Sequence, residues 1–319
     1  MSFFRFTTTL FLLTISMQLS FAKKDKKKKD IVTTPSLTDT AKQVVLKDTV
    51  VKKETKPAFK TIKEVTEKCK KTNGLFPIYQ DTTTGKTYIE IAEDKIGKEY
   101  IYFAYVLDGY LDAGYARGGY KDNAIFKIVK YFDRIDFVLQ NTNYYFNEAN
   151  DLSKAKDANI NQSLFLSEKI AAATGKTYLI EADNLFLGEN ITQIKPSKNP
   201  NDKPDAFSLG SLNSKKSKYL AIKNFPNNTA VSVEYVYDNP SPINYGTDEI
   251  TDARFVSVKL QHSLIEVPNN NFKPRADDAR VGYFIEKMND QTSTSATPWK
   301  DVIHRWNLVK NNIFPRSCT

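Results

Sequence analysis

The sequence predicts a mainly β protein of the α+β kind: antiparallel sheets with few short helices, in one or two subdomains behind a disordered basic N-terminal tail. Three observations predict it. Apolar and polar residues alternate with period two in segment after segment, bounded by Gly, Pro, Asn and Asp turn signals. The 20 Phe and 17 Tyr among 319 residues supply enough ring surface for a substantial core. The basic excess, finally, is confined to one end: residues 23–71 hold 16 Lys against 7 acidic residues, whereas 72–319 hold 29 basic against 30 acidic. The folded part is therefore close to neutral, and the pI near 9.2 is no argument for nucleic acid.

In chain order, Arg5 and the apolar run Leu10–Leu19, ending at Ser20-Phe21-Ala22, read as an export signal over 1–22. That run is shorter than the roughly 20 residues a membrane-spanning helix needs, so no transmembrane segment is expected in the mature chain. Residues 23–60 form a Lys-rich linker, beginning KKDKKKKD, too poor in apolar side chains to offset the entropy of ordering. It reads as a solvated tether, with anionic lipid or polysaccharide as the alternative contact. A short helix is expected over Glu64–Lys71, stopped by Asn73-Gly74.

Strands follow. In Lys86–Ile91 one face carries Thr87, Ile89 and Ile91. Tyr100–Leu107 is apolar almost throughout and predicts a strand covered on both faces. Ala124–Phe132 and Ile135–Gln140 predict a hairpin turning at Asp133-Arg134. Ala182–Gly188 suits a short helix, and Asn190–Asp205, with three prolines, a subdomain boundary. Val231, Val233, Tyr235 and Tyr237 share one strand face; Arg254–Val267 is the longest alternating run. The expected domains are 61–122 and 123–310, with a divergent tail at 311–319.

Several motifs invite chemistry and have plainer readings. Thr84–Ile91 and Thr174–Glu181 each contain Gly-Lys-Thr. A phosphate-binding loop needs a further Gly where Gln80 and Ile170 stand, and a helix afterwards. Here Gly85 and Gly175 read as turn residues of positive φ feeding strands. Asp108, Asp112 and Asp122 lie in the Gly-rich loop Asp108–Asn123, without the ligand spacing of a calcium loop. Asp277, Asp278 and Glu286 read as solvated loop carboxylates. The two histidines are His262 and His304. His262 falls on the apolar face of its strand and reads as a core side chain satisfied by a hydrogen bond; His304 precedes the stacking pair Arg305-Trp306. Neither belongs to a His-Glu-x-x-His helix, the spacing that puts two imidazoles on one face for zinc. Catalytic, cofactor-binding and metal residues are accordingly expected to be none. Cys69 and Cys318 are not expected to pair.

Residues 72–310 resemble the N-terminal domains of unknown function of exported bacterial zinc-dependent metalloproteases. The resemblance rests on Gly74-Leu75-Phe76-Pro77-Ile78-Tyr79 with Gly85-Lys86-Thr87-Tyr88, on Arg117-Gly118, on Tyr178–Gly188, on Ser217–Pro226 and on Ser263–Phe284. The run Pro274–Phe284, in which Asp278, Arg280, Gly282 and Tyr283 match, and His304–Lys310 are similar to the approach to the peptidase domain. Glu181, Asp183 and Asn184 depart from the family pattern. In that family zinc and catalysis belong to the following peptidase domain, so zinc is expected there and no cofactor in this chain. The ending at Thr319 suggests a truncated or split gene. The resemblance implies a non-catalytic exported region that scaffolds or guides substrate, in the periplasm, at the cell surface or secreted, of a Gram-negative bacterium. Its partners would be a separately encoded or downstream peptidase domain, complementing it in trans, and a peptide or protein substrate; nucleic acid is not among them. The alternative is a stand-alone surface module whose aromatics grip glycan or peptide.

Overall fold

The computed structural model describes residues 59–305 except 159, 198–199, 202 and 270–272, all within the unit Lys56–Thr319. The export signal, most of the Lys-rich linker, Trp306–Lys310, the tail 311–319 and Cys318 lie outside the described residues. The elements are α1 (Ile62–Thr66), β1 (Cys69–Thr72), β2 (Ile78–Asp81), β3 (Thr87–Ala92), β4 (Glu99–Asp108), β5 (Tyr120–Tyr131), β6 (Arg134–Leu139), β7 (Tyr144–Tyr145) and β8 (Ser163–Thr174). After them come β9 (Thr177–Glu181), α2 (Asp183–Phe186), β10 (Ser211–Leu212), β11 (Lys218–Phe225), β12 (Asn228–Asp238), β13 (Phe255–Glu266), β14 (Ile285–Asp290) and β15 (Trp299–Ile303).

Twelve strands form one antiparallel sheet in the order β1-β2-β3-β9-β8-β6-β5-β4-β13-β12-β10, with β11 also on β12. A second sheet, β15-β14-β7, is antiparallel except for the β14–β7 pair. The mainly β, antiparallel fold class with few short helices therefore holds. The large sheet curls until its ends meet: Leu75 N–H donates to Phe225 O at 2.7 Å, and Asn224 Nδ2 donates to Thr72 O and Phe76 O. Gly74 permits that approach, because a Cβ there would lie 2.1 Å from Asn224 Oδ1.

Alternation decides what the curled sheet encloses. Tyr100, Tyr102, Ala104 and Val106 of β4, Val231, Val233, Tyr235 and Tyr237 of β12, and Val256, Val258, Leu260, His262 and Leu264 of β13 are all buried. Into this interior runs the segment 182–195, where Ala182, Leu185, Phe186, Ile191 and Ile194 are buried. It is a plug, filling a sheet too large for its own side chains to close. Asn190–Asp205 is irregular, but Ile191 and Ile194 tie its first part into the common core. The boundary expected between 122 and 123 falls inside β5, and strands from both sides of it alternate in one sheet.

Three local expectations, for a helix, a turn and a strand, need correction. The helix is α1, earlier than Glu64–Lys71, closed by a capping box in which Glu64 N–H donates to Thr61 Oγ1 and Thr61 N–H to Glu64 Oε2; Cys69–Thr72 instead pairs with β2. The hairpin turns at Phe132-Asp133, since Tyr131 pairs with Arg134, and Phe132 takes φ 50°. β4 is covered on one face: Phe103 is 36% exposed on the other. The loop Asp108–Asn123 is anchored, with Tyr110, Ala113 and Tyr115 buried.

The two Gly-Lys-Thr copies do enter strands through turns, with φ 77° at Gly85 and 59° at Gly175. The strands they feed, β3 and β9, pair with each other, Ile89 opposite Ile180. Lys86 Nζ meets Glu181 across that pair at 2.5 Å.

Candidate functional site

The groups with chemical potential gather in two places: around the plug, and along the line where the ends of the sheet meet. At the plug, period-two alternation on β13 aims His262 inward, and the β4–β13–β12 register sets it opposite Ala104 on one side and Val231 on the other. Tyr102 Oη lies 2.8 Å from His262 Nδ1, and Tyr235 Oη 2.7 Å from Nε2. The Tyr235 hydroxyl donates to the plug carbonyl of Phe186, so its oxygen accepts from Nε2–H. Nδ1 then accepts from Tyr102, which makes this the Nε2–H tautomer. Both ring nitrogens are committed. Complete burial lowers the imidazole pKa from 6.5 to about 3, because a charged ring there would lose its hydration without a counter-ion.

Other polar groups hold the same segment. Glu189 Oε1 accepts from Tyr237 Oη at 2.7 Å and from the backbone N–H groups of Ile194 and Lys195 at 3.1 and 2.7 Å. The Tyr115 hydroxyl donates to Ile194 O. Asp183 Oδ1 accepts from Tyr219 Oη at 2.9 Å and from Thr87 N–H at 3.2 Å. Burial pushes the Asp183 carboxyl up, against the pull of the Tyr219 hydroxyl and Thr87 amide. The phenols of Tyr102, Tyr219, Tyr235 and Tyr237 are all raised by burial, so each remains a neutral donor. These side chains fasten the plug.

The line of closure is open over part of its length. Between β1–β2 and β11 a cavity of about 230 Å³ is lined by Lys70, Thr72, Gln80 and residues 219–222. Gln80 and Tyr219 also line the next cavity, about 480 Å³, which reaches Lys86, Asp183, Lys215 and Lys218.

The remaining sequence candidates stay apart. Asp108 faces Arg117 and Lys259, each at 3.2 Å, and these cations hold its carboxyl below the usual range. Asp112 accepts from Tyr110 Oη at 2.7 Å. No group of three or more His, Cys, Asp or Glu among the described residues is arranged to hold a metal ion. Asp278 is bound two-pronged by Arg280, at 2.9 and 2.6 Å, and Arg275 lies over the Tyr283 ring. His304 is exposed, 3.4 Å from Glu286. Cys69 is half-buried beside Asp81, and burial raises its thiol pKa.

One feature was not foreseen. The outer face of β4 and β5 presents Phe103, Tyr105 and Tyr120, with ring centroids 6.1 and 6.3 Å apart, and the register places Gln261 beside Tyr105 and Ser263 beside Phe103. The signal was present in Tyr100–Leu107, whose odd positions carry rings that a doubly covered strand would have buried.

Residues 120–311 match the family described as Domain of unknown function (DUF5117). The chain belongs to this family. The match begins with β5 and takes in the plug, β8–β14 and the Asp278–Arg280 turn. No curated protein matches the chain, and no solved structure does. No helix among the described residues is long and apolar enough to cross a membrane.

Proposed function

We propose that this DUF5117 chain is a non-catalytic, exported region that scaffolds or guides substrate for a zinc-dependent peptidase domain. The resemblance of residues 72–310 to metalloprotease N-terminal domains supports the reading, and the signal-like segment 1–22 supports export. The observation that carries it is the commitment of His262. A zinc ligand must offer a ring nitrogen lone pair to the metal, and the only lone pair of this tautomer accepts from Tyr102 inside a sealed core. Glu189 and Asp183 are engaged in holding the plug. In this reading zinc and water activation reside in the peptidase domain, and the DUF5117 region supplies a rigid platform. Incubation of the purified full chain with casein, with and without zinc, tests it. The expected outcome is no hydrolysis and no retained zinc after dialysis. Unaided hydrolysis, or one zinc retained per chain, would overturn it.

A second reading, a surface module for glycan, is favoured by the Phe103, Tyr105 and Tyr120 rings. Exposed rings stack on the apolar faces of sugars, and Gln261 and Ser263 stand beside them as hydroxyl partners. It predicts retention of the chain on insoluble polysaccharide and loss of that retention in the Phe103→Ala/Tyr120→Ala variant. Equal retention of both chains removes it.

A further inference from the structure

The ends of the large sheet touch without zipping. Their one backbone hydrogen bond among the described residues runs from Leu75 N–H to Phe225 O. Beyond it β1 and β11 make no ladder, so each presents an unpaired edge; the cavity lined by Lys70 and residues 219–222 lies between them, and the cavity that Lys215 lines adjoins it at Gln80 and Tyr219. An unpaired edge offers alternating N–H and C=O groups to any extended chain of matching polarity. Natural proteins leave such an edge open where they add a strand from a partner.

Charge decides the partner. Four lysines line the two cavities: Lys70, Lys86, Lys215 and Lys218. Lys86 and Lys218 are paired with Glu181 and Glu234, while Lys70 and Lys215 have no ion-pair partner among the described residues. The one acidic lining residue, Asp183, has Oδ1 engaged by Tyr219 and Thr87. This excess positive charge disfavours the chain's own N-terminal segment, since residues 23–57 carry 11 Lys against 5 acidic residues. It also disfavours a second copy, whose β11 would bring Lys218 and Lys223 against the same residues.

We infer that the open seam between β1 and β11 takes an extended acidic peptide segment of another protein, which adds to the edge of β11 as a strand. The segment pairs its backbone with 219–223 and sets carboxylates beside Lys70 and Lys215. The inference deepens the scaffold reading by naming the class of segment the platform holds, and it rests on that reading for the source of the segment.

The test uses the full chain and a fluorescein-labelled eight-residue peptide of alternating Glu and Val, with Lys–Val and Ser–Val peptides as controls. Fluorescence anisotropy is expected to show saturable binding of the Glu–Val peptide alone, weakened about tenfold in Lys70→Glu/Lys215→Glu. Circular dichroism checks that this variant keeps its β spectrum. Amides of 219–223 are expected to gain hydrogen-exchange protection when the peptide is added, a readout that diffuse charge attraction would not move. Absence of saturable binding, equal affinity in the variant, or protection at another strand each overturns the inference. So does displacement by an unlabelled peptide of residues 23–57, which would make the occupant the chain's own segment. A dimer by sedimentation that the double variant abolishes would likewise make it a second copy. Casein hydrolysis by the chain would refute the scaffold reading and leave peptide binding to be scored separately.

Discussion

Acid is expected to weaken this fold through one imidazole. His262 has an unfolded value of 6.5 and a folded value of about 3, with burial as the cause. Between those values the unfolded chain binds a proton that the native chain refuses, so stability rises with pH and is lost as pH falls from 6.5 toward 3. From pH 7.5 to pH 5 the loss from this group is about 2 kcal/mol, and each further unit removes about 1.4 kcal/mol more. Above pH 5 ordinary carboxylates are still mostly ionised, and the raised Asp183 carboxyl acts with the opposite sign. Glutamine at 262 keeps one donor and one acceptor for Tyr235 and Tyr102 but does not titrate, so His262→Gln should fold with a flat profile. Urea unfolding followed by far-UV circular dichroism, at half-unit steps from pH 7.5 to 5, gives both curves. Their difference isolates the histidine from every other titration. Parallel curves would refute the argument, since they would mean that the ring is hydrated or charged in the native chain.

Three further outcomes are expected. Gly74→Ala forces a Cβ against the Asn224 side chain and within 2.8 Å of its backbone carbon; a loss of about 2 kcal/mol in urea unfolding, with faster hydrogen exchange at Leu75 and Phe76, is the expected result. Phe132→Asn places a residue tolerant of positive φ at the hairpin turn, and should raise stability by about 1 kcal/mol despite the lost edge contact with Tyr131. A lower unfolding midpoint would count against the turn assignment. Tyr219→Phe removes the hydroxyl that holds Asp183 Oδ1, so the already raised Asp183 carboxyl should titrate higher still by NMR. The sign is opposite to that of His262: the native chain keeps this proton to higher pH than the unfolded chain, so its protonation stabilises the fold as pH falls through that range. An unchanged Asp183 titration would show that the hydroxyl contributes nothing to holding the carboxylate.

How far the sequence speaks for itself follows from how far apart the partners lie. Alternation along Phe255–Glu266 was enough to turn His262 inward, because a strand's period of two is a local property. Its partners were not legible: Tyr102 lies 160 residues earlier and Tyr235 27 residues earlier, and only the β4–β13–β12 register brings them to the ring. The same contrast holds for the plug. Ala182–Gly188 announced a short helix, but nothing local in it says that a twelve-stranded sheet will close around it. The pairing of strands across position 122 was hidden for a related reason. An antiparallel sheet can weave distant segments in alternation, so β3 finds β9 and β4 finds β13.

The apolar run in β4 misled differently. Burial on both faces and an exposed row of rings produce the same letters, and the register of Tyr120 against Tyr105 was needed to tell them apart. About chemistry the sequence offered an expectation only, that neither histidine belongs to a zinc-binding helix, and the fold adds where the buried polar side chains are engaged. The polar residues that a site would draw on, His262, Glu189, Asp183 and the tyrosines around them, are joined to the segment 182–195 or to each other. A barrel that uses its interior to grip its own chain has only its outside and its seam left for other molecules. The seam has unmatched backbone edges beside Lys70 and Lys215, which have no ion-pair partner among the described residues, and this is why a partner of the DUF5117 region is sought there before the closed interior.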